Sequence, residues 1–239
     1  MDESDGRRRK KKEKKEKKIK LPKQLLPIKN LDKDGWYEKW HRGRDLLNII
    51  HPMRGVFLGP PHTGKSTTIK NIILRADPPF ERVICIHCDW EGTDELDDIG
   101  AEMRGDIPSP QEFSGNKIKT AVIIDDVELK QMSKEQKAHI DRLFGYVSSH
   151  CRVSVFLTAQ DAFNILPCVR RCANLWVLWK IRDIDSAMCL ARKAGIRREQ
   201  FNYIFNNFIH GLHDSLWLDH TFNSPAPLRI NGYDVLDEN

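Results

Sequence analysis

Eight residues, Gly59-Pro60-Pro61-His62-Thr63-Gly64-Lys65-Ser66, limit what this chain can fold into more than any other stretch. They fit the pattern of a glycine, four free positions, Gly-Lys and a hydroxyl residue. Gly55-Val56-Phe57-Leu58 upstream reads as a short buried strand, and residues 66–74 downstream carry apolar side chains at helical spacing. A strand entering a glycine turn that opens a helix leaves the first N–H groups of that helix without partners. Those donors and the positive helix end can cradle phosphate oxygens. Lys65 is then placed to reach the terminal phosphates and the Ser66 hydroxyl to bind Mg2+. Pro60 and Pro61 lack an N–H, so the cradle falls to His62, Thr63, Gly64, Lys65 and Ser66, with Thr67 in the same binding set. A tight glycine turn beside a chance lysine is the plain alternative, and the flanking strand and helix argue against it. The stretch is expected to bind a nucleoside triphosphate.

Strands and helices alternate beyond this loop. Val83-Ile84-Cys85-Ile86 reads as a second strand, after Pro78-Pro79 closes the first helix. A short helix is expected over residues 95–103, and a Pro-, Ser- and Gly-rich loop over 105–117. The third strand is Thr120-Ala121-Val122-Ile123-Ile124. Ser133 is placed to cap a helix running to about Ser149, with Glu135 in its first turn. Val153-Ser154-Val155-Phe156-Leu157-Thr158 and Leu175-Trp176-Val177-Leu178-Trp179 are the fourth and fifth strands. Helices from about 184 to 195 and from 197 towards 208 follow, then two closing strands at 215–218 and 227–230. Near-continuous apolar strands separated by helices, together with the glycine loop, predict an α/β P-loop fold with a mainly parallel central sheet flanked by helices and further strands at the end.

The acids come next. Ala121-Val122-Ile123-Ile124-Asp125-Asp126 sets two carboxylates at the carboxyl end of a buried strand, the edge at which open α/β sheets bind ligands. Asp125 is expected to hold Mg2+, through water, and Asp126 to orient or activate an attacking water. Asp-Asp also makes an ordinary turn, but about sixty residues after a phosphate loop it points to hydrolysis. Gln160, after Val155-Phe156-Leu157-Thr158-Ala159, is expected beside the γ-phosphate, where an amide can report whether that phosphate is present; a polar turn ending a strand is the plain alternative.

These stretches together resemble the DNA-packaging ATPases of the FtsK–HerA superfamily, in particular the poxvirus-type group of large DNA viruses, virophages and related elements. The resemblance covers residues 50–230. It rests on residues 59–66, on Asp125-Asp126, on Ser149-His150-Cys151-Arg152-Val153-Ser154-Val155 leading to Gln160, on Val169-Arg170-Arg171, and on Leu216-Trp217-Leu218-Asp219. It implies a homo-oligomeric ring that drives double-stranded DNA into a preformed capsid by ATP hydrolysis, with capsid protein as a partner. It also implies an arginine reaching the neighbouring subunit's nucleotide, mapped onto Arg170 with Arg171 second; a solvated pair beside Pro167 is the plain alternative. Two departures stand out: Pro60-Pro61 is commoner in AAA+ ATPases, and Ser149 stands where the family writes Arg, so His150 reads as structural or coupling. An AAA+-type remodelling ATPase and a nucleotide-gated nucleic-acid-binding module remain the alternatives.

Charge divides the chain. Of its 239 residues, the first 20 hold eleven Lys or Arg and five Asp or Glu, a balance of +6 against a total of +5, so the rest sums to −1. Residues 1–20 read as a disordered basic tail: a solubilising arm, a nuclear-import signal or a grip on nucleic-acid phosphate. Residues 21–49 read as a linker and N-terminal segment, with Trp36, Tyr37 and Trp40 more suited to packing than to base stacking, and 50–239 as the ATPase domain. No apolar run is long enough to span a membrane, and the charged N-terminus argues against secretion. The host nucleus or a viral factory of an infected cell, with the virion as a third location, is where such a chain is expected. The six cysteines read as reduced thiols. Cys85 and Cys88 with Cys168 and Cys172 form only a weak zinc pattern, and Arg192, Lys193, Arg197 and Arg198 read as a solvated face rather than a DNA contact.

Overall fold

The computed structural model describes residues 43–91, 96–181 and 196–236, with positions 185, 188, 189 and 192 between them. The basic tail, residues 21–42 with their aromatic cluster, and most of the helix expected over 184–195 lie outside those residues.

Strand β1 (Arg54–Leu58) is buried from Gly55 onward and delivers the chain to the glycine loop. Helix α1 (Lys65–Arg75) follows, with Gly64 as its N-cap in the left-handed conformation. It turns Ile69, Ile72 and Ile73 inward at the three- and four-residue spacing of one helix face. Strand β2 (Arg82–His87) comes next. The helix expected over 95–103 does not form among the described residues. A single 3-10 turn, Asp97–Ile99, is followed by a short strand β3 (Glu102–Arg104). The reason is local: Gly100 adopts φ +65° and stops helical winding. Beyond it Ala101 and Met103 pack on the core while Glu102 and Arg104 meet in an exposed ion-pair cluster with Arg82 and Glu112, a period of two.

Strand β4 (Thr120–Asp125) is buried along its whole length. Helix α2 (Lys134–Arg142) begins at a capping box: Ser133 Oγ accepts from the Gln136 N–H and Gln136 Oε1 accepts from the Ser133 N–H. Gln136, not Glu135, makes the reciprocal bond, because an N3 side chain reaches back to the cap. The helix continues through a π turn, Leu143–Val147, to Ser148–His150. Strand β5 (Val153–Ala159), helix α3 (Pro167–Cys172), strand β6 (Leu175–Trp179), helix α4 (Arg198–Phe208) and strands β7 (Ser215–Asp219), β8 (Leu228–Ile230) and β9 (Asp234–Val235) complete the described chain.

The sheet runs β3-β2-β4-β5-β1-β6-β7-β8-β9. Every pairing from β3 to β6 is parallel, and those from β6 to β9 are antiparallel. Successive strand residues point to opposite faces, so one run of sequence builds two cores. Val56, Leu58, Val122, Ile124, Val155 and Leu157 join α2, α3 and α4 in one. Phe57, Ala121, Ile123 and Phe156 join α1 in the other. Such strands read as continuous apolar runs because both faces are covered. Residues before position 50 also pack here: Arg44 pairs with Asp219 at 2.6 Å, and the buried Arg229 donates to Leu47 O at 2.6 Å. This is the RecA-like P-loop architecture. Among the described residues, no helix is long and apolar enough to cross a membrane.

Candidate nucleotide site

Parallel strands bring the carboxyl ends of β1, β5 and β4 to one edge, with β5 between the other two. The three sequence stretches therefore converge. Gly59 closes against the sheet, its N–H donating to Ala159 O at 3.0 Å. The loop then takes the nest-like backbone suited to anions, with His62 at φ +60° and Gly64 at φ +96°. Pro61 and His62 are exposed, Pro60 and Gly64 half-buried, and Thr63 is buried with its hydroxyl donating to Pro60 O at 2.9 Å.

Lys65 is buried at the start of α1, its ammonium donating to Gly59 O at 3.0 Å and Pro60 O at 2.8 Å. Burial pushes its pKa down, opposed by the charges of Asp125 and Asp126. An anionic phosphate oxygen competes well against two neutral carbonyls for such a donor, since charge-assisted hydrogen bonds are about twice as strong. Ser66 Oγ donates to Asp125 Oδ2 at 2.7 Å, linking the helix start to the end of β4. Hydroxyl and carboxylate are the hard oxygen donors that Mg2+ takes alongside phosphate and water, so Ser66 and Asp125 fit that ion. Thr67 is exposed in the first turn.

Asp126 follows the strand in the left-handed region, φ +49°, which Asp tolerates better than most residues. Its N–H donates to Thr158 Oγ1 at 2.9 Å, and its Oδ1 accepts from Gln160 Nε2 at 3.0 Å. The amide expected to face the γ-phosphate is thus bonded to the second acid. Sequence reasoning placed Thr158 in the right stretch without giving it this bond.

It missed His213 altogether. This residue precedes β7, and its Nδ1 lies 3.2 Å from Thr63 O. With Lys65, Ser66, Thr67, Lys70 and Asn71 it lines a cavity of about 570 Å3 beside the loop. A contact between positions 63 and 213 follows no local pattern and needs the sheet to exist.

Arg170 does not join the cluster. It lies on α3, half-buried, and its Nε is buried without a hydrogen-bond partner, while Arg171 is exposed. Helix α3 leads to Asn174 at the amino edge of the sheet, where Asn174 Oδ1 accepts from the Arg54 N–H at 2.8 Å. His150 ends the α2 segment stacked on Tyr146, with centroids 4.3 Å apart, and is not in the site. The six cysteines form no disulfide. Cys168 and Cys172 lie 3.8 Å apart on α3, but Cys85 is buried in β2 and no four-cysteine cluster forms among the described residues.

No family model and no curated protein matches the chain. The fold does match solved structures. The genome packaging NTPase B204 from Sulfolobus turreted icosahedral virus 2, in complex with sulfate, overlaps with a TM-score of 0.53 at 18% identity, covering 74% of this chain and 94% of that one. The same protein in complex with ATP-gammaS overlaps with a TM-score of 0.50 at 18% identity, covering 75% and 96%. At such identity the similarity establishes the fold alone.

Proposed function

We propose that this chain is an Mg2+-dependent ATPase that moves double-stranded DNA, acting as a ring of identical subunits in viral genome packaging. One observation carries the hydrolytic part: Lys65, the bonded pair Ser66–Asp125 and the bonded pair Asp126–Gln160 stand on three neighbouring strand ends. In this reading Lys65 grips the β- and γ-phosphates and Ser66 and Asp125 hold Mg2+. Asp126, held by Gln160, accepts a proton from the attacking water. Arg170 acts on the next subunit's nucleotide, and its lack of any hydrogen bond to its own cluster suits that role. The packaging part is supported by the overlap with a protein described as a genome packaging NTPase. The antiparallel extension β7–β9, where an AAA+ ATPase carries a helical lid, weighs against the remodelling alternative. Membership of the poxvirus-type group, a capsid partner and a nuclear or viral-factory location belong to this proposal.

The test is Asp126→Asn. ATP binding is expected to persist while Mg2+-dependent hydrolysis falls by ~10²–10⁴-fold, the usual loss with a general base. Double-stranded DNA should stimulate the unsubstituted protein. Unchanged turnover in the variant would remove Asp126 from catalysis, and hydrolysis indifferent to DNA would favour a role other than translocation.

A further inference from the structure

Strands β2 and β4 are parallel neighbours with His87 in register opposite Asp125. The next residues, Cys88 and Asp126, therefore leave the sheet side by side. The ligand atoms of His87, Cys88 and Asp126 all lie within 4.8 Å of one another, with His87 half-buried and the other two exposed. It is the one cluster of three or more His, Cys, Asp or Glu side chains so gathered among the described residues. A tetrahedral ion with bonds of about 2.0–2.3 Å sets its ligands roughly 3.5 Å apart, so the trio must close by about an ångström. Cys88 and Asp126, both exposed, do this by rotamer adjustment. The acid's backbone is already fixed by Thr158, and Gln160 occupies one carboxylate oxygen, leaving the other for a metal. His87 Nδ1 accepts from the Asp89 N–H at 3.1 Å. Coordination through either ring nitrogen ends that bond, since the Nε2 route requires a proton on Nδ1.

We infer that His87, Cys88 and Asp126 form a site for a thiophilic divalent cation of the zinc class, and that its occupancy takes Asp126 away from the attacking water. Imidazole and thiolate select Zn2+ over Mg2+, whereas the oxygen pair Ser66–Asp125 suits Mg2+, so the two ions take separate sites at one sheet edge. Three protein ligands and one water complete a tetrahedron. Cys88 binds as thiolate, its proton passes to solvent, and no electron changes hands. The metal site stands on geometry alone. Its inhibitory effect rests on the catalytic reading of Asp126 given above.

Titration of the full chain with Co2+ decides the site. Thiolate-to-cobalt charge-transfer absorption is expected in the unsubstituted protein, lost in Cys88→Ser and retained in the Cys168→Ser/Cys172→Ser double variant. His87→Ala and Asp126→Asn should each weaken affinity by at least ~10-fold, the lower bound for losing even a supporting partner. No band, a band surviving in Cys88→Ser, or affinity indifferent to Asp126→Asn overturns the proposal. A second measurement tests the consequence. Zn2+ added to Mg2+-ATP should depress hydrolysis by ~10²-fold or more, as loss of a general base does. A chelator should reverse this, and Cys88→Ser should resist the same Zn2+. Equal inhibition of both proteins refutes control through this site. A chain that hydrolyses no ATP under any condition refutes the proposed function and the inhibition with it, while the cobalt spectrum still decides the metal site.

Discussion

At Gly59 the absence of a side chain is a steric requirement. A Cβ there would lie 2.8 Å from Trp179 Cβ and 2.9 Å from Thr63 Oγ1. Trp179 is only 1% exposed and has nowhere to move. Gly59→Ala is therefore expected to cost ~1–3 kcal/mol, the range for overpacking a filled interior. For a domain of this size each kcal/mol lowers Tm by roughly 2–4 °C. A thermal melt checks this, and an unchanged Tm would mean that the loop can lift off β6 without loss. The pattern asks for glycine here on account of phosphate; the structure adds the indole of β6 as a second reason. Lys65 is likewise held by two constraints, since its ammonium both bonds the loop carbonyls and lies in the field of two acids.

Individual elements carry their own signatures. Lys119 sits just before β4, buried, over the Phe80 ring at 4.6 Å. Burial pushes its pKa down to about 8, with Asp45 and Asp77 opposing and Arg152 assisting. The folded value lies below the unfolded one, about 10.4, so between them the unfolded chain binds more protons. Stability contributed by this group therefore rises as pH climbs from about 8 towards 10. Denaturant unfolding at the two ends of that window should show a larger rise for the unsubstituted protein than for Lys119→Met. Identical slopes would show that Lys119 titrates as it does in water. The π turn Leu143–Val147 is a second such feature: it keeps α2 running to His150, with Leu143, Phe144 and Val147 buried in the core.

At the scale of the whole molecule, Arg170 on α3 makes no hydrogen bond to the nucleotide cluster of its own chain. If Arg170 serves a neighbour, activity depends on who sits next to whom. Rings assembled from Arg170→Ala and unsubstituted subunits should lose ATPase activity faster than the variant's fraction, and a proportional loss would argue against action in trans. The tail is a separate question, because the chain beyond residue 20 carries −1. Removing residues 1–20 is expected to weaken DNA affinity and flatten its salt dependence while basal hydrolysis persists. DNA stimulation that survives the deletion intact would place the DNA contact in the domain.

The glycine loop, the double acid and the buried strands were legible in sequence, because each is specified by near neighbours. A glycine-lysine turn, a capping serine and a run of branched residues carry their physical chemistry within a few positions. Among the described residues, the expected helix over 95–103 failed where Gly100 and a two-residue alternation outweighed a general helical composition, and where pairing with β2 decided the outcome. What sequence could not supply were meetings across the sheet. Thr158 under Asp126, His213 against the phosphate loop, and His87 and Cys88 beside Asp126 all depend on strand order and register. Local patterns fixed which residues could bind a phosphate, whereas only the parallel register of β2, β4, β5 and β1 decided which side chains share that edge, because such contacts exist only once strands distant in the chain have paired.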